Sequence, residues 1–213
     1  MNRKMKKVNR YLSGRWMKKP VLVLLVFYLM SCGSCTNPLS EFIEKLVYDY
    51  GDTGPAGGTI IDFNYIKGSW YYTEVAPAGW YLGGDDPVAE WGGYSTFIDV
   101  TSEAYGAGIE NTKVIVEALE GLSETGRAAQ LCDQYEITHD GKVYGDWVLP
   151  SLGTVERLHH MDFQVEGIFM NDNYWTSSEV DATMAVSTIF SDSSTEAYEY
   201  KNVPCRVRPV RFF

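Results

Sequence analysis

Histidine is almost missing from this chain: there are three in 213 residues. His139 stands alone, and His159 and His160 are adjacent. Neighbours on a helix point apart, whereas a helical metal pair wants i, i+4 spacing, so these histidines read as surface residues. Cysteine is also scarce, with four. No Gly-x-Ser-x-Gly elbow, phosphate-binding P-loop or EF-hand loop occurs. Internal repeats and low-complexity segments are absent. The apolar run Val21–Met30 is only ten residues long, against about 20 for a membrane-spanning helix. Positive charge is the most telling scarcity. The whole chain carries 18 Lys+Arg against 28 Asp+Glu, a net charge of −10. Residues 1–31 hold eight bases and no acid, which leaves ten bases against 28 acids, a net of −18, for residues 32–213. Such a surface excludes non-specific nucleic-acid binding. It also disfavours acidic glycans unless a local patch or bound cations intervene. What the chain does have is apolar bulk: 45% hydrophobic residues, including 15 Tyr, nine Phe and six Trp. A folded core in one medium domain follows.

The basic stretch followed by Val21–Met30 fits the n- and h-regions of an export signal. Leu29-Met30-Ser31-Cys32 follows and resembles the lipobox of bacterial lipoproteins, with Met30 an imperfect match. That resemblance implies cleavage before Cys32, acylation of its thiol and new amino terminus, and a stable lipid anchor. The other reading is an uncleaved signal anchor. Cys35 is the weaker acceptor, because Cys-Gly-Ser precedes it. The long n-region also suggests translation starting at Met5 or Met17 rather than Met1.

Residues 32–50 read as a tether and an amphipathic helix. Leu39, Phe42, Ile43, Leu46, Val47 and Tyr50 form one stripe, with Asn37 as cap and Gly51 as stop. Gly51-Asp-Thr-Gly-Pro-Ala-Gly-Gly58 is a glycine-rich turn, since its collagen-like period stops at once. Thr59–Asn64 and Trp70–Ala76 read as strands joined through Lys67-Gly68-Ser69. Residues 77–108 read as a long ordered loop around Trp80 and Trp91. Helices are expected from Asn111, as cap, to Gly121, over Ala128–Tyr135, and over Ser151–Met161. In the last, Ser151 is the cap and Val155 and Leu158 face inward. Strands are expected at Tyr174–Glu179, Thr183–Phe190, Ala197–Tyr200 and Val203–Val210, with a turn at Asp192-Ser-Ser-Thr195. Strands at both ends with helices between them indicate an α+β domain over residues 51–213.

Three ordered motifs join the glycine-rich turn. They are Ala128-Ala-Gln-Leu-Cys132-Asp with Asp146-Trp147-Val-Leu149-Pro150-Ser151, then Tyr174-Trp175-Thr-Ser177-Ser178-Glu179, then Arg206-Val-Arg208-Pro-Val-Arg211. Together they resemble the Lcl C-terminal family, also called DUF1566, from Gly51 to the end. The resemblance implies a C-type-lectin-like fold related to sulfatase-modifying factors, with short antiparallel sheets, two or three helices and long ordered loops. It implies that Trp147 and Leu149 are core residues, that Tyr174-Trp175 opens a central strand, and that the last strand returns beside the first. It also implies a disulfide between Cys132 and Cys205, the alternative being two buried thiols. Two positions depart from the family. Cys205 lies four residues before Pro209, where relatives place the terminal Cys. Thr154 stands where relatives carry the Glu of a capping box.

The chain is expected not to be an enzyme. The modifying-factor relatives use two cysteines near the C-terminus for copper, and only Cys205 is there. Exposed aromatics with nearby acids suit carbohydrate, and Tyr81, Asp85, Asp86, Trp91 and Tyr94 make such a set; Trp91 also reads as a core plug. Asn171, Asp172 and Asn173 offer oxygens suited to Ca²⁺, or make a turn. No cofactor is required. Glu-Pro-Asn and Trp-Asn-Asp, the sugar-and-calcium motifs of animal lectins, are absent. Arg206 and Arg208 suit an anion or internal pairing with the many acids. The expected role is a lipid-anchored protein of the cell envelope, at the outer membrane or cell surface. Its lectin-like domain would bind a polysaccharide, glycoconjugate or protein in adhesion. The alternative is a structural protein that packs only against envelope partners, or an enzyme of the modifying-factor type.

Overall fold

The computed structural model describes residues 47–66, 69–99, 102–160, 172–189 and 195–213. The expected signal segment, Cys32, Cys35 and the expected tether lie outside the described residues. Among those described, no helix is long and apolar enough to cross a membrane.

The chain is mixed α and β, with short, mostly antiparallel sheets and three helices among the described residues. Residues Tyr48–Phe213 make one compact unit. Val47–Tyr50, the described end of the expected stalk helix, is not helical. Tyr48 instead lays its ring edge-on to Tyr72 and Phe213, and Tyr50 packs on Phe63 at 4.3 Å.

β1 (Thr59–Ile66) and β2 (Ser69–Val75) form the expected antiparallel hairpin, with a bulge between Ile60 and Asp62. β3 is the dipeptide Val88–Ala89 inside the long loop. The first helix, α1 (Gly108–Gly121), starts three residues before the expected cap Asn111. Its buried stripe is Gly108, Asn111, Thr112, Ile115 and Leu119, one face at helical spacing. Gly108 is needed because a Cβ there would sit 2.5 Å from the Leu149 carbonyl. Gly121 is the last helical residue; Ser123 takes the left-handed conformation that ends the run.

α2 (Ala128–Asp133) is entered through Arg127, whose N–H donates to Gln130 Oε1 at 3.1 Å. A small hairpin follows, β4 (Ile137–His139) with β5 (Lys142–Tyr144). α3 (Leu152–His160) begins after Ser151, as expected. Ser151 does not cap it with its side chain, however. Its Oγ donates to the Ala104 carbonyl at 2.7 Å and bonds Thr154 Oγ1. The cap is supplied from a distant strand: Ser178 Oγ accepts the Leu152 N–H at 3.1 Å. Val155 is buried as expected; the Leu158 side chain and Met161 lie outside the description.

β6 (Asn173–Glu179), β7 (Met184–Ile189) and β8 (Thr195–Tyr200) form a meander. The expected final strand Val203–Val210 is really two. β9 (Cys205–Arg206) joins the larger sheet, whose order is β3-β9-β6-β7-β8, so Tyr174-Trp175 does open a central strand. β10 (Val210–Phe212) joins the smaller sheet, of order β1-β2-β10. Between them stands Pro209, which has no N–H for a ladder, and there the chain changes sheets. The last strand therefore lies beside the second strand, Val210 opposite Val75, and not beside the first. A single bridge from Val148 to Val210 ties the Trp147–Leu149 segment to that sheet.

The main core holds Trp91, Trp147 and Trp175, with Ile115, Leu119, Leu149 and Val207. The indole N–H groups of these three each find a carbonyl: Thr176 for Trp91, Tyr144 for Trp147 and Ala89 for Trp175. That satisfaction is what makes large aromatics usable in a core. Ile61, Val75 and Val210 form a second, smaller core on the three-stranded sheet.

Candidate functional site

The described residues between 77 and 107, namely 77–99 and 102–107, run largely without regular structure, yet the rest of the domain grips them at four places. The first grip is Asp86, which is buried. Its carboxylate accepts the Trp80 indole N–H at 2.9 Å and the Tyr174 hydroxyl at 2.7 Å, and Arg208 Nε lies 2.7 Å away. Arg208 also donates to the Ala76 carbonyl. The second is Trp91, fully buried, with the Lys201 ammonium 4.7 Å from its ring centroid. Beside it Gly92 donates to the Lys201 carbonyl. Gly92 has φ +95°, and a Cβ would meet Leu119 at 2.6 Å, so only glycine fits. The third is Glu179, whose carboxylate accepts the N–H groups of Ile98 and Asp99 and pairs with Lys201. Lys201 also donates to the Thr96 carbonyl. The fourth is Asn111, which accepts the Ser102 N–H at 2.8 Å and donates to the Ser102 carbonyl at 2.7 Å.

Between these grips the loop holds side chains out. Tyr81, Leu82 and Asp85 project at one station, and Tyr94 and Phe97 at another; Leu82 is 92% exposed. Leu82, Ser95 and Asp99 have φ of 54°, 70° and 61°. Such conformations are uncommon without glycine and persist where surrounding structure imposes them. Of the five residues expected to bind a ligand, Tyr81, Asp85 and Tyr94 are thus presented. Asp86 and Trp91 are not: both are buried parts of the scaffold, one as the centre of an ion-pair network and the other as a core plug.

The expected Ca²⁺ set fares differently. Asn171 lies outside the described residues. Asp172 accepts from Arg206 Nε at 2.9 Å and from the Asn173 N–H at 2.8 Å, which hold its carboxyl below the usual range. Asn173 donates to Glu199. The Asp172 carboxylate oxygens are therefore engaged with protein donors, whereas the Asn173 side chain is engaged through its amide nitrogen. Among the described residues no group of three or more His, Cys, Asp or Glu could hold a metal. His139 sits 3.8 Å from Asp140; the side chains of His159 and His160 lie outside the description.

The motif residues act inside the fold. Ser177 Oγ accepts from Asn111 and the Ser177 N–H donates to the Pro150 carbonyl, joining α1, β6 and the Leu149-Pro150 turn. Arg206 is paired with Asp172 and the Asp86 carbonyl, and Arg208 with Asp86; neither is kept for an outside anion. Cys132 and Cys205 are free thiols in the main core and do not form the expected bridge. Burial pushes both thiols up, Cys205 to about 12, so they stay protonated and unreactive.

One constellation was invisible in the sequence. Glu74 is fully buried on β2, and the glycine-rich turn is its cradle. The Ala56 and Gly58 N–H groups donate to Glu74 Oε1 at 3.1 and 2.7 Å. Arg211 donates to Glu74 Oε2 at 3.0 Å and bonds Asp146 with two nitrogens. A Cβ on Gly58 would lie 2.1 Å from the Val75 carbonyl, and one on Gly54 2.4 Å from the Glu74 carboxyl carbon. The spacing of those glycines was the only signal that something approached closely. No protein-family model matches the chain, and no curated protein is significantly similar to it.

Proposed function

We propose that the chain is a bacterial cell-envelope lipoprotein whose domain, of the Lcl C-terminal, C-type-lectin-like kind, binds a glycan, glycoconjugate or protein in adhesion. The observation that carries this reading is the loop at residues 77–107. It is long and aromatic, fixed from beneath by buried pairs at Asp86 and Glu179, and it presents Tyr81, Asp85 and Tyr94 outward. Binding residues characteristically sit on loops positioned by a rigid scaffold, and a loop ordered in advance loses less entropy on binding. Every quoted family motif also has a structural task in this fold, which supports the resemblance. Anchoring rests on the basic segment, Val21–Met30 and Cys32. The test is a glycan and matrix-protein array with the full-length chain, with and without Ca²⁺. Specific binding is expected, and Tyr81→Ala or Tyr94→Ala should abolish it. No binding in either condition, or binding indifferent to both substitutions, overturns the proposal. Cys32→Ala should lose incorporated fatty acid; continued labelling refutes the anchor assignment.

A further inference from the structure

Arg157 on α3 stands out among the paired cations. Its Nε lies 2.8 Å from Asp62 Oδ2, and its Nη2 donates to Asn64 Oδ1 at 3.1 Å. Its guanidinium carbon lies 4.7 Å from the Tyr105 ring centroid. Tyr105 is fixed in turn by a 2.6 Å hydrogen bond with Thr73 and an edge contact with Phe212. The guanidinium is thus held in orientation on one face and one edge. The side chain nevertheless stays 39% exposed, more than that of any other ion-paired Arg or Lys among the described residues. Neither Arg157 Nη1 nor Asn64 Nδ2 has a hydrogen-bond partner among the described residues. Directly across the strand pair from Asn64 stands Tyr71, 50% exposed. Opposed residues on neighbouring strands share one face with their Cβ atoms about 5 Å apart.

We infer that Arg157, Asn64 and Tyr71 form a site for a saccharide ring bearing a single carboxylate, a uronic-acid unit. The spare groups on Arg157 and Asn64, Nη1 and Nδ2, are donors. Asp62, the acceptor beneath, is buried and engaged by Arg157, so the open side of the site calls for an acceptor. The spare Nη1 lies in a guanidinium plane already fixed by Asp62 and Asn64, so it offers a carboxylate a directed, charge-assisted hydrogen bond that a freely rotating ammonium would not. Asp62 cancels the formal charge of Arg157, so a dianion such as phosphate would add more unbalanced charge than a single carboxylate. The Tyr71 ring supplies a flat apolar surface for the C–H face of the sugar, with a polar edge at its rim. This assignment rests on the lectin-like reading above and names a ligand class for a separate surface of the same domain.

Calorimetry on the detergent-solubilised full-length chain tests it with three ligands. They are an oligogalacturonide, the same oligosaccharide with its carboxyls reduced to alcohols, and an acetylated peptide with a free terminal carboxylate. Binding is expected for the oligogalacturonide alone. Arg157→Lys, which keeps the charge but loses the oriented planar donor, should weaken it about tenfold, and Tyr71→Ala by a similar factor. Tyr71→Ala removes a half-exposed ring, so an unchanged melting midpoint will separate lost binding from lost folding. Absence of oligogalacturonide binding, equal binding of the reduced sugar or of the peptide, or full binding by Tyr71→Ala would each overturn the assignment. Binding of any glycan that is lost in Tyr94→Ala and kept in Tyr71→Ala would sink this site and leave the lectin-like reading standing.

Discussion

Replacing Lys201 with Met should expose how much of the loop architecture depends on one buried charge pair. The Lys201 side chain is 0% exposed and the Glu179 side chain 1%. In Lys201→Met the Glu179 carboxylate keeps two backbone donors, Ile98 and Asp99, but loses its counter-charge. In Glu179→Gln the ammonium is left with the Thr96 carbonyl and the Trp91 ring face. An uncompensated buried charge of this kind costs about 3–5 kcal/mol. For a domain of this size each kcal/mol lowers the melting midpoint by about 2–4 °C, so each single variant should melt roughly 6–20 °C below the parent. The double variant Glu179→Gln/Lys201→Met removes both charges together, and its loss should fall short of the summed single losses by about 2 kcal/mol. Urea denaturation of all four proteins closes this cycle. Limited proteolysis adds a local readout, because Glu179→Gln weakens the grip on residues 96–99 and should speed cleavage there. Single variants within about 1 kcal/mol of the parent, or a double variant as unstable as the sum, would refute the reasoning.

Gly58→Ala should destabilise the domain by about 2 kcal/mol or more, because its Cβ would lie 2.1 Å from the Val75 carbonyl and the Glu74 cradle must open; a denaturation midpoint equal to the parent's counts against the cradle. Cys132 and Cys205 should resist alkylation in the native protein and both react after unfolding without reductant, since both are buried free thiols; a peptide map that finds them linked would contradict this. Burial, with the Asp62 carboxylate beside it, pushes Tyr50 up to about 12 from its usual 10. A raised pKa means the folded state holds its proton longer, so stability is full below pH 10 and is lost as pH rises toward 12. The melting midpoint should fall across that window, and less steeply in Tyr50→Phe; an equal slope in the variant would argue against the assignment.

Local pattern made the fold legible where a segment obeys one periodicity. The β1–β2 hairpin, the stripe of Ile115 and Leu119, and the central strand from Tyr174 were all readable because alternation and 3.6-residue spacing are local properties. Boundaries set by distant partners were not. Asn111 looks like a cap because it precedes an apolar stripe, but the helix starts earlier and Asn111 turns inward to hold Ser102. Ser151 looks like a cap and occupies the right place, yet the hydroxyl that accepts the first N–H belongs to Ser178, 26 residues away. At the candidate site the same difficulty decided the outcome. Asp86 and Trp91 have the composition of a sugar site, and only the positions of Trp80, Tyr174, Arg208 and Thr176 reveal them as interior. Arg157, Asn64 and Tyr71 come from three elements, and no spacing in the chain links them.

The charge count acquires a mechanism once the pairs are located. Residues 32–213 have only ten bases. Four of them, Arg157, Lys201, Arg208 and Arg211, are spent on the buried acids Asp62, Glu179, Asp86 and Glu74. Arg127 and Arg206 pair with Glu90, Glu124 and Asp172. The exterior therefore offers few cations to offset its acids, and an anionic ligand meets long-range repulsion before it reaches Arg157. Salt screens charges farther apart than about 8–10 Å at physiological strength but hardly touches a direct guanidinium–carboxylate contact. Affinity for an oligogalacturonide should thus hold steady or rise as salt goes from about 0.05 to 0.3 M. A site working by a basic field shows the opposite slope, since screening weakens attraction. Calorimetric titrations at both ends of that range decide between them, and a fall in affinity with salt would mean that the ligand is drawn by a positive surface rather than fitted to one fixed arginine.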